Sequence, residues 1–220
     1  MRTWARDHGL LLANLILFVV FFGGMVATGA QVYSSDQTEH GQAAAGLAQY
    51  LTSGDFVEAT FENWESEFLQ MGMYVVLTAY LFQRGSSESK PIDEPSPQDE
   101  DPRTAQDRPG VPWPVRRGGW ILKLYETSLS AAFFLFFLTS FALHAAGGSR
   151  AYSEEQLAHG GAAVSTWQYL GTSQFWFESF QNWQSEFLAV AAIVGLSVFL
   201  RQRGSAESKP VAEPHYDTGT

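Results

Sequence analysis

Asn63-Trp64-Glu65-Ser66-Glu67-Phe68-Leu69 returns as Asn182-Trp183-Gln184-Ser185-Glu186-Phe187-Leu188, 119 positions later. Outward from this block the match runs without a gap, residues 33–91 onto residues 152–210. It takes in Tyr33/Tyr152, His40/His159, Gly41/Gly160, Gln49-Tyr50-Leu51/Gln168-Tyr169-Leu170 and Phe61/Phe180. Its far end is Gln83-Arg84-Gly85-Ser86-x-Glu88-Ser89-Lys90-Pro91, repeated as Gln202-Arg203-Gly204-Ser205-x-Glu207-Ser208-Lys209-Pro210. Roughly half of the aligned positions are identical. A period this long implies two copies of one structural unit packed together.

The mean hydropathy of -0.09 is that of a soluble protein, but the apolar residues are unevenly spread. Residues 9–30 carry no charge, and residues 128–148 carry only His144 as an ionisable group. Each is long enough to cross a hydrocarbon core, which takes about 20 helical residues. Shorter apolar runs, 68–82 and 187–200, follow the two NWxSEFL blocks. Each copy therefore reads as a long span, a polar stretch and a short span. The expected fold is an all-α membrane protein with four transmembrane helices, at about 9–30, 66–83, 121–147 and 185–201. Arg2, Arg6 and the small residues 27–30 have the form of a signal peptide. The first span nevertheless aligns with the third through Phe18/Phe137, Phe22/Phe141 and Gly29/Gly148, so its retention is expected.

Charge sets the orientation. No Lys or Arg lies between Asp7 and Gln83, whereas Asp36, Glu39, Asp55, Glu58, Glu62, Glu65 and Glu67 do. The equivalent stretch of the second copy has Arg150 against Glu154, Glu155, Glu178 and Glu186. Basic residues gather at Arg2 and Arg6, Arg84 and Lys90, 103–123, and Arg201, Arg203 and Lys209. The positive-inside rule then places both termini and the linker in the cytoplasm, in a multi-pass protein of the cytoplasmic membrane. Both repeats point the same way, so a pseudo-two-fold axis along the membrane normal is expected. The net charge of -10 reflects acidic loops and linker and argues against a nucleic-acid partner. The absence of cysteine excludes disulfides and thiolate chemistry.

The expected organisation is a first repeat over 1–91 with an outer helical loop at 33–62. A flexible acidic, Pro-rich linker follows over 92–117, then a second repeat over 118–210 with an outer loop at 152–181, and a disordered tail over 211–220. Trp113, Arg116, Arg117, Trp120 and Lys123 form an aromatic and basic collar suited to the inner headgroup layer. Ser34-x-x-Gln37 and Ser153-x-x-Gln156 have the capping-box form, which predicts short outer helices from there to about Leu51 and Leu170. Ser53 and Thr172 then cap second helices that run directly into the short spans. Phe56, Trp64 and Phe68, with Phe175, Trp176, Trp183 and Phe187, form an aromatic band of the kind an outer interface selects.

Glu67 and Glu186 are the candidate chemical groups. The 17 positions from Glu67 to Arg84 rise about 25 Å, which sets both carboxylates near the outer hydrocarbon edge. An ionisable group there is a functional-site hypothesis. Their expected partners are Asn63/Asn182, one turn away, and His40/His159, with Trp64/Trp183 alongside. Three readings stand: a structural brace, a proton or cation site, and a metal site. The last lacks any close H-x-x-H or E-x-x-H spacing, so neither metal nor cofactor is expected. His8, His144 and His215 have no counterpart in the repeat and read as ordinary residues. The RGSxESKP segments are helix stops, with Arg84, Glu88, Lys90, Arg203, Glu207 and Lys209 available to dock against each other or a cytoplasmic partner. No nucleotide loop, nucleophile elbow or zincin signature is present.

The paired NW[EQ]SEFL and QRGSxESKP blocks, with Tyr and His-Gly in the outer loop, resemble an uncharacterised family of small bacterial integral membrane proteins. The resemblance covers nearly all of the chain except the linker. It implies a bacterial origin and a membrane location, and carries no site residue. The functional expectation is a non-enzymatic membrane protein serving assembly or envelope maintenance, with the bilayer and a membrane or cytoplasmic protein as partners. The alternative is a small proton- or cation-conducting transporter or channel using Glu67 and Glu186. An outer-leaflet lipid or quinone enzyme comes third.

Overall fold

The computed structural model describes residues 2–219; Met1 and Thr220, the outermost positions of the first repeat and the tail, and the side chains of Arg2 and Thr3 lie outside the described residues. The described chain is helical and contains no strand. Its α-helices are α1 (Arg2–Asp7), α2 (Gly9–Glu39), α3 (Leu47–Leu51), α4 (Gly54–Tyr80), α5 (Trp113–Arg117), α6 (Gly119–Glu126), α7 (Ser128–Ala158), α8 (Thr166–Tyr169) and α9 (Ser173–Leu196). They form two compact units, one of residues 1–61 and 142–176, the other of residues 62–141 and 177–220.

Two helices, α2 and α7, are long and apolar enough to cross a membrane. The most apolar 18-residue stretch of α2 has no buried residue at all. Leu10, Leu11, Leu15, Ile16, Val19, Val20 and Phe21 are all exposed, so the helix is apolar around its whole circumference. Such a helix finds its favourable surroundings in hydrocarbon, which points to membrane association.

Helices α2 and α7 are longer than the spans read from sequence. Ser34 and Ser153 do not start new helices; both lie inside 31-residue helices that continue to Glu39 and Ala158. Nothing in residues 30–39 or 149–158 breaks a helix, so the polar residues simply extend it. The stop comes at Gly41 and Gly160, whose φ angles of 75° and 79° suit glycine. There the Gln42 N–H returns to the Gln37 carbonyl at 2.8 Å and the Gly161 N–H to that of Gln156 at 2.7 Å. The outer loops hold only the short helices α3 and α8, and the capping box belongs to Ser165 and Gln168. Ser53 and Thr172 cap the next helices, accepting from the N–H groups of Phe56 (3.2 Å) and Phe175 (3.3 Å).

In the first unit, aromatic contacts recur at the repeat offset. Tyr33–Tyr50 and Tyr152–Tyr169 have ring centroids 5.8 and 5.6 Å apart. Tyr50–Phe56 and Tyr169–Phe175 follow at 5.4 and 5.6 Å, both edge-on. Tyr169 and Phe175 are fully buried. In the second unit Phe68 packs on Phe133 and Phe136, and Trp183 on Phe137 and Phe180.

The linker and tail carry more local order than their composition predicts. Pro97 and Pro102 open short 3₁₀ turns, and the Asp101 carboxylate caps the second by accepting from the Arg103 N–H. Arg108 forms a two-pronged pair with Glu100, and Lys90 donates to Asp99 at 2.6 Å. The tail is tied down by Lys209, whose buried ammonium donates to the carbonyls of Pro214, His215 and Asp217 at 2.8–3.1 Å. The Gly219 N–H reaches the Ser86 carbonyl at 3.0 Å. A lysine taken out of water needs several acceptors, and the tail folds back to supply them.

Candidate functional site

The residues that meet most closely are those of the first unit where the start of α4 crosses α7. Residues 147 and 148 of α7 are both glycine. A Cβ at Gly147 would stand 2.6 Å from the Glu58 nitrogen and 2.7 Å from Val57 Cγ1. One at Gly148 would stand 2.6 Å from the Tyr169 ring and 2.8 Å from Glu58 Oε1. Gly54 completes the crossing, with its Cβ position 2.5 Å from the Ala151 nitrogen. Only hydrogen fits at these three places, and that lets the backbones close up.

The crossing brings Glu58 to His144. Their ligand atoms lie within 4.8 Å of each other. His144 is 0 % exposed, and its ring stacks on Phe175 at 4.8 Å. The Tyr169 hydroxyl donates to Glu58 Oε1 at 3.0 Å, which fixes the carboxylate. A carboxylate and an imidazole in such surroundings can share a proton or hold a cation between them. Sequence reasoning passed over this pair because it sought identity between the copies. At the repeat offset Glu58 faces Phe177 and His144 faces Met25. The available signal was His144 itself, the one ionisable group in an apolar run.

The expected Glu67/Glu186 site looks different. Glu67 is exposed, and the carboxylate that α4 buries in the second unit is Glu65, at 0 % exposure. The Trp183 indole donates to Glu65 Oε1 at 2.9 Å. Helical phase explains the difference: the buried stripe of α4 passes through Glu65 and Ser66 and leaves Glu67 to one side. Gln70 donates to the Glu186 carbonyl at 3.5 Å, and Asn182 donates to the Glu178 carbonyl at 3.1 Å. Asn63 accepts at its backbone carbonyl from the Ser66 hydroxyl, and Trp64 packs edge-on against Phe68. His40 and His159 belong to the first unit and Glu67 and Glu186 to the second. The two histidine rings lie against each other, centroids 5.8 Å apart.

The RGSxESKP copies share one internal design. The Ser86 and Ser205 hydroxyls accept from the N–H groups of Glu88 and Glu207, each at 3.1 Å. Those of Ser89 and Ser208 accept from Gln83 and Gln202, at 3.0 and 2.9 Å. Gly85 and Gly204 turn the chain at φ 84° and 86°. The helices before them end at Tyr80 and Leu196, short of the expected 83 and 201. The copies also touch. Ser87 donates to the Glu207 carbonyl at 3.0 Å, and Ser86 pairs with Ser197, just before the second copy, through their hydroxyls at 2.8 Å. The Glu88 charge, with some burial, raises the Glu207 carboxyl above its ordinary value. Tyr74 donates to Glu88 at 2.6 Å. Arg84 pairs with Asp93 at 3.2 Å, and Arg203 is exposed.

The profile of a family described as a domain of unknown function, DUF6766, matches residues 1–220. The chain belongs to this family. No curated protein and no solved structure is significantly similar to it. For a DUF6766 chain the site therefore has to be read from its own geometry.

Proposed function

We propose that this DUF6766 protein is a non-enzymatic, four-span protein of the bacterial cytoplasmic membrane that handles a proton or small cation at Glu58 and His144. Its two tandem two-helix repeats are related by a pseudo-two-fold along the membrane normal, with both termini and the linker inside. The observation that carries the reading is the fully buried His144 imidazole within 4.8 Å of the Glu58 carboxylate. Burying a carboxylate or an imidazolium costs several kcal/mol unless it is paired, so such a pair is worth keeping where it binds or moves charge. In the cation-handling reading this pair stands beside Glu67 and Glu186. The second reading is assembly or envelope maintenance, with exposed Arg203 among the groups available to dock a partner.

The test is proton and monovalent-cation flux in proteoliposomes holding the full-length protein, followed with an internal pH dye and an imposed potential. Glu58→Gln and His144→Gln should each slow wild-type flux at least tenfold while eluting as the wild type does in gel filtration. Absence of flux in the wild type, or equal flux in folded variants, sinks the proposal.

A further inference from the structure

His40 and His159 are the same position of the two repeats, and each stands just past the end of a 31-residue helix of the first unit. Their surroundings match. Each Nδ1 lies 2.9 Å from the backbone carbonyl four residues earlier, Asp36 for His40 and Glu155 for His159. A carbonyl can only accept, so Nδ1 carries the proton and the neutral ring keeps a bare lone pair on Nε2. This Nδ1–H to carbonyl bond is the support that metal-binding histidines ordinarily have. Neither ring is buried.

Distance and charge agree. A metal about 2.0–2.1 Å from each Nε2 holds two imidazole centroids about 5–6 Å apart at tetrahedral or somewhat wider ligand angles. The observed separation is 5.8 Å, with the rings at 78°. The two helix ends that bring the rings together direct the negative poles of their dipoles toward the same place, which favours a cation. The last turns of both helices contain no basic residue, whereas Asp36, Glu39 and Glu155 are there. Asp36 Oδ1 is 3.5 Å from the His40 ring.

We propose that His40 and His159 form a bis-imidazole site for a divalent transition-metal ion of the zinc, nickel or copper class, one ligand from each repeat. Water completes the shell. No metal-ligand spacing is visible along the chain because the ligands are 119 positions apart, and only the duplication brings them together. The site lies 15 residues along α7 from His144, about 22 Å at 1.5 Å per residue. It is therefore separate from the Glu58–His144 pair and stands whether or not that pair moves charge.

The experiment is equilibrium binding of Zn²⁺ to the purified full-length protein in detergent, with Cu²⁺ electron paramagnetic resonance as a second readout. The wild type should bind one ion and show hyperfine coupling to two nitrogens. His40→Ala and His159→Ala should each weaken binding at least tenfold and reduce the coupling to one nitrogen. His8→Gln, at an exposed histidine outside both sites, should leave affinity and spectrum unchanged. Full-affinity binding in either outer variant, loss of the ion in His8→Gln, or no binding by the wild type overturns the proposal. Both outer residues are exposed, so a folding defect in both variants would itself contradict this picture.

Discussion

The Gly148 hydrogen is what allows Tyr169 and Glu58 to approach α7. Gly148→Ala would put a methyl group 2.6 Å from the tyrosine ring and 2.8 Å from the carboxylate. Overpacking of this kind costs about 1–3 kcal/mol, so the melting temperature in detergent should fall by roughly 3–10 °C for a chain this long. Tyr169→Phe removes one hydrogen bond and should cost about 0.5–1.5 kcal/mol. Gly23→Ala is the opposite case: no atom lies within 4 Å of its Cβ position. In mid-helix it should stabilise by about 0.5–1 kcal/mol. If Gly148→Ala melts as high as the wild type while Gly23→Ala melts lower, the α4–α7 crossing has been misread. The asymmetric positions matter most at this scale. Glu58, Glu65 and His144 have Phe177, Gln184 and Met25 as counterparts, so a search weighted toward identical pairs selects structural positions and misses these.

Among the elements, what was legible in the sequence followed local chemistry. The four long helices, the Ser53 and Thr172 caps and the glycine turns all come from residues that act within a few positions of themselves. The depth of Glu67 was not legible, because one step along a helix turns a side chain by about 100° and only the packing partner decides which face is covered. The order of the tail was not legible either, since it depends on one buried lysine. Lys209→Met should release residues 211–219, seen as faster limited proteolysis there with α9 intact; unchanged cleavage would show that Lys209 does not hold the tail. The Glu88–Glu207 contact should respond to pH. The Glu207 carboxyl is raised in the folded protein, chiefly by the Glu88 charge, so folding favours its protonated form. That contribution is full below the unfolded carboxyl value and fades as pH rises through the raised folded value. Glu207→Gln should thus melt above the wild type at pH 7, with the gap closing as pH falls toward the ordinary carboxylate range. A gap constant from pH 7 to pH 4 would exclude this linkage.

For the molecule as a whole, the decisive question is whether α4 and α9 cross the membrane as α2 and α7 can. Their apolar runs are shorter and begin directly after Glu67 and Glu186. A short span is still viable, because mismatch costs only fractions of a kcal/mol per Å. The chain has no cysteine, so single-cysteine variants report without background. Exposed positions suit the purpose: Ala43 and Ala163 in the two outer loops, Thr104 in the linker and Val211 in the tail. With four spans, Ala43→Cys and Ala163→Cys should react with an impermeant maleimide in intact cells. Thr104→Cys and Val211→Cys should react only after the membrane is opened. With α2 and α7 alone crossing, the linker would share the side of Ala43 and Ala163 would move to the other, so the two outer-loop sites would label oppositely. That outcome would also remove the parallel-repeat symmetry. It would also put His40 and His159 on opposite sides of the membrane, which their 5.8 Å ring contact does not allow. Matched labelling of Ala43→Cys and Ala163→Cys therefore tests the topology and, through it, whether both histidines can reach one metal ion.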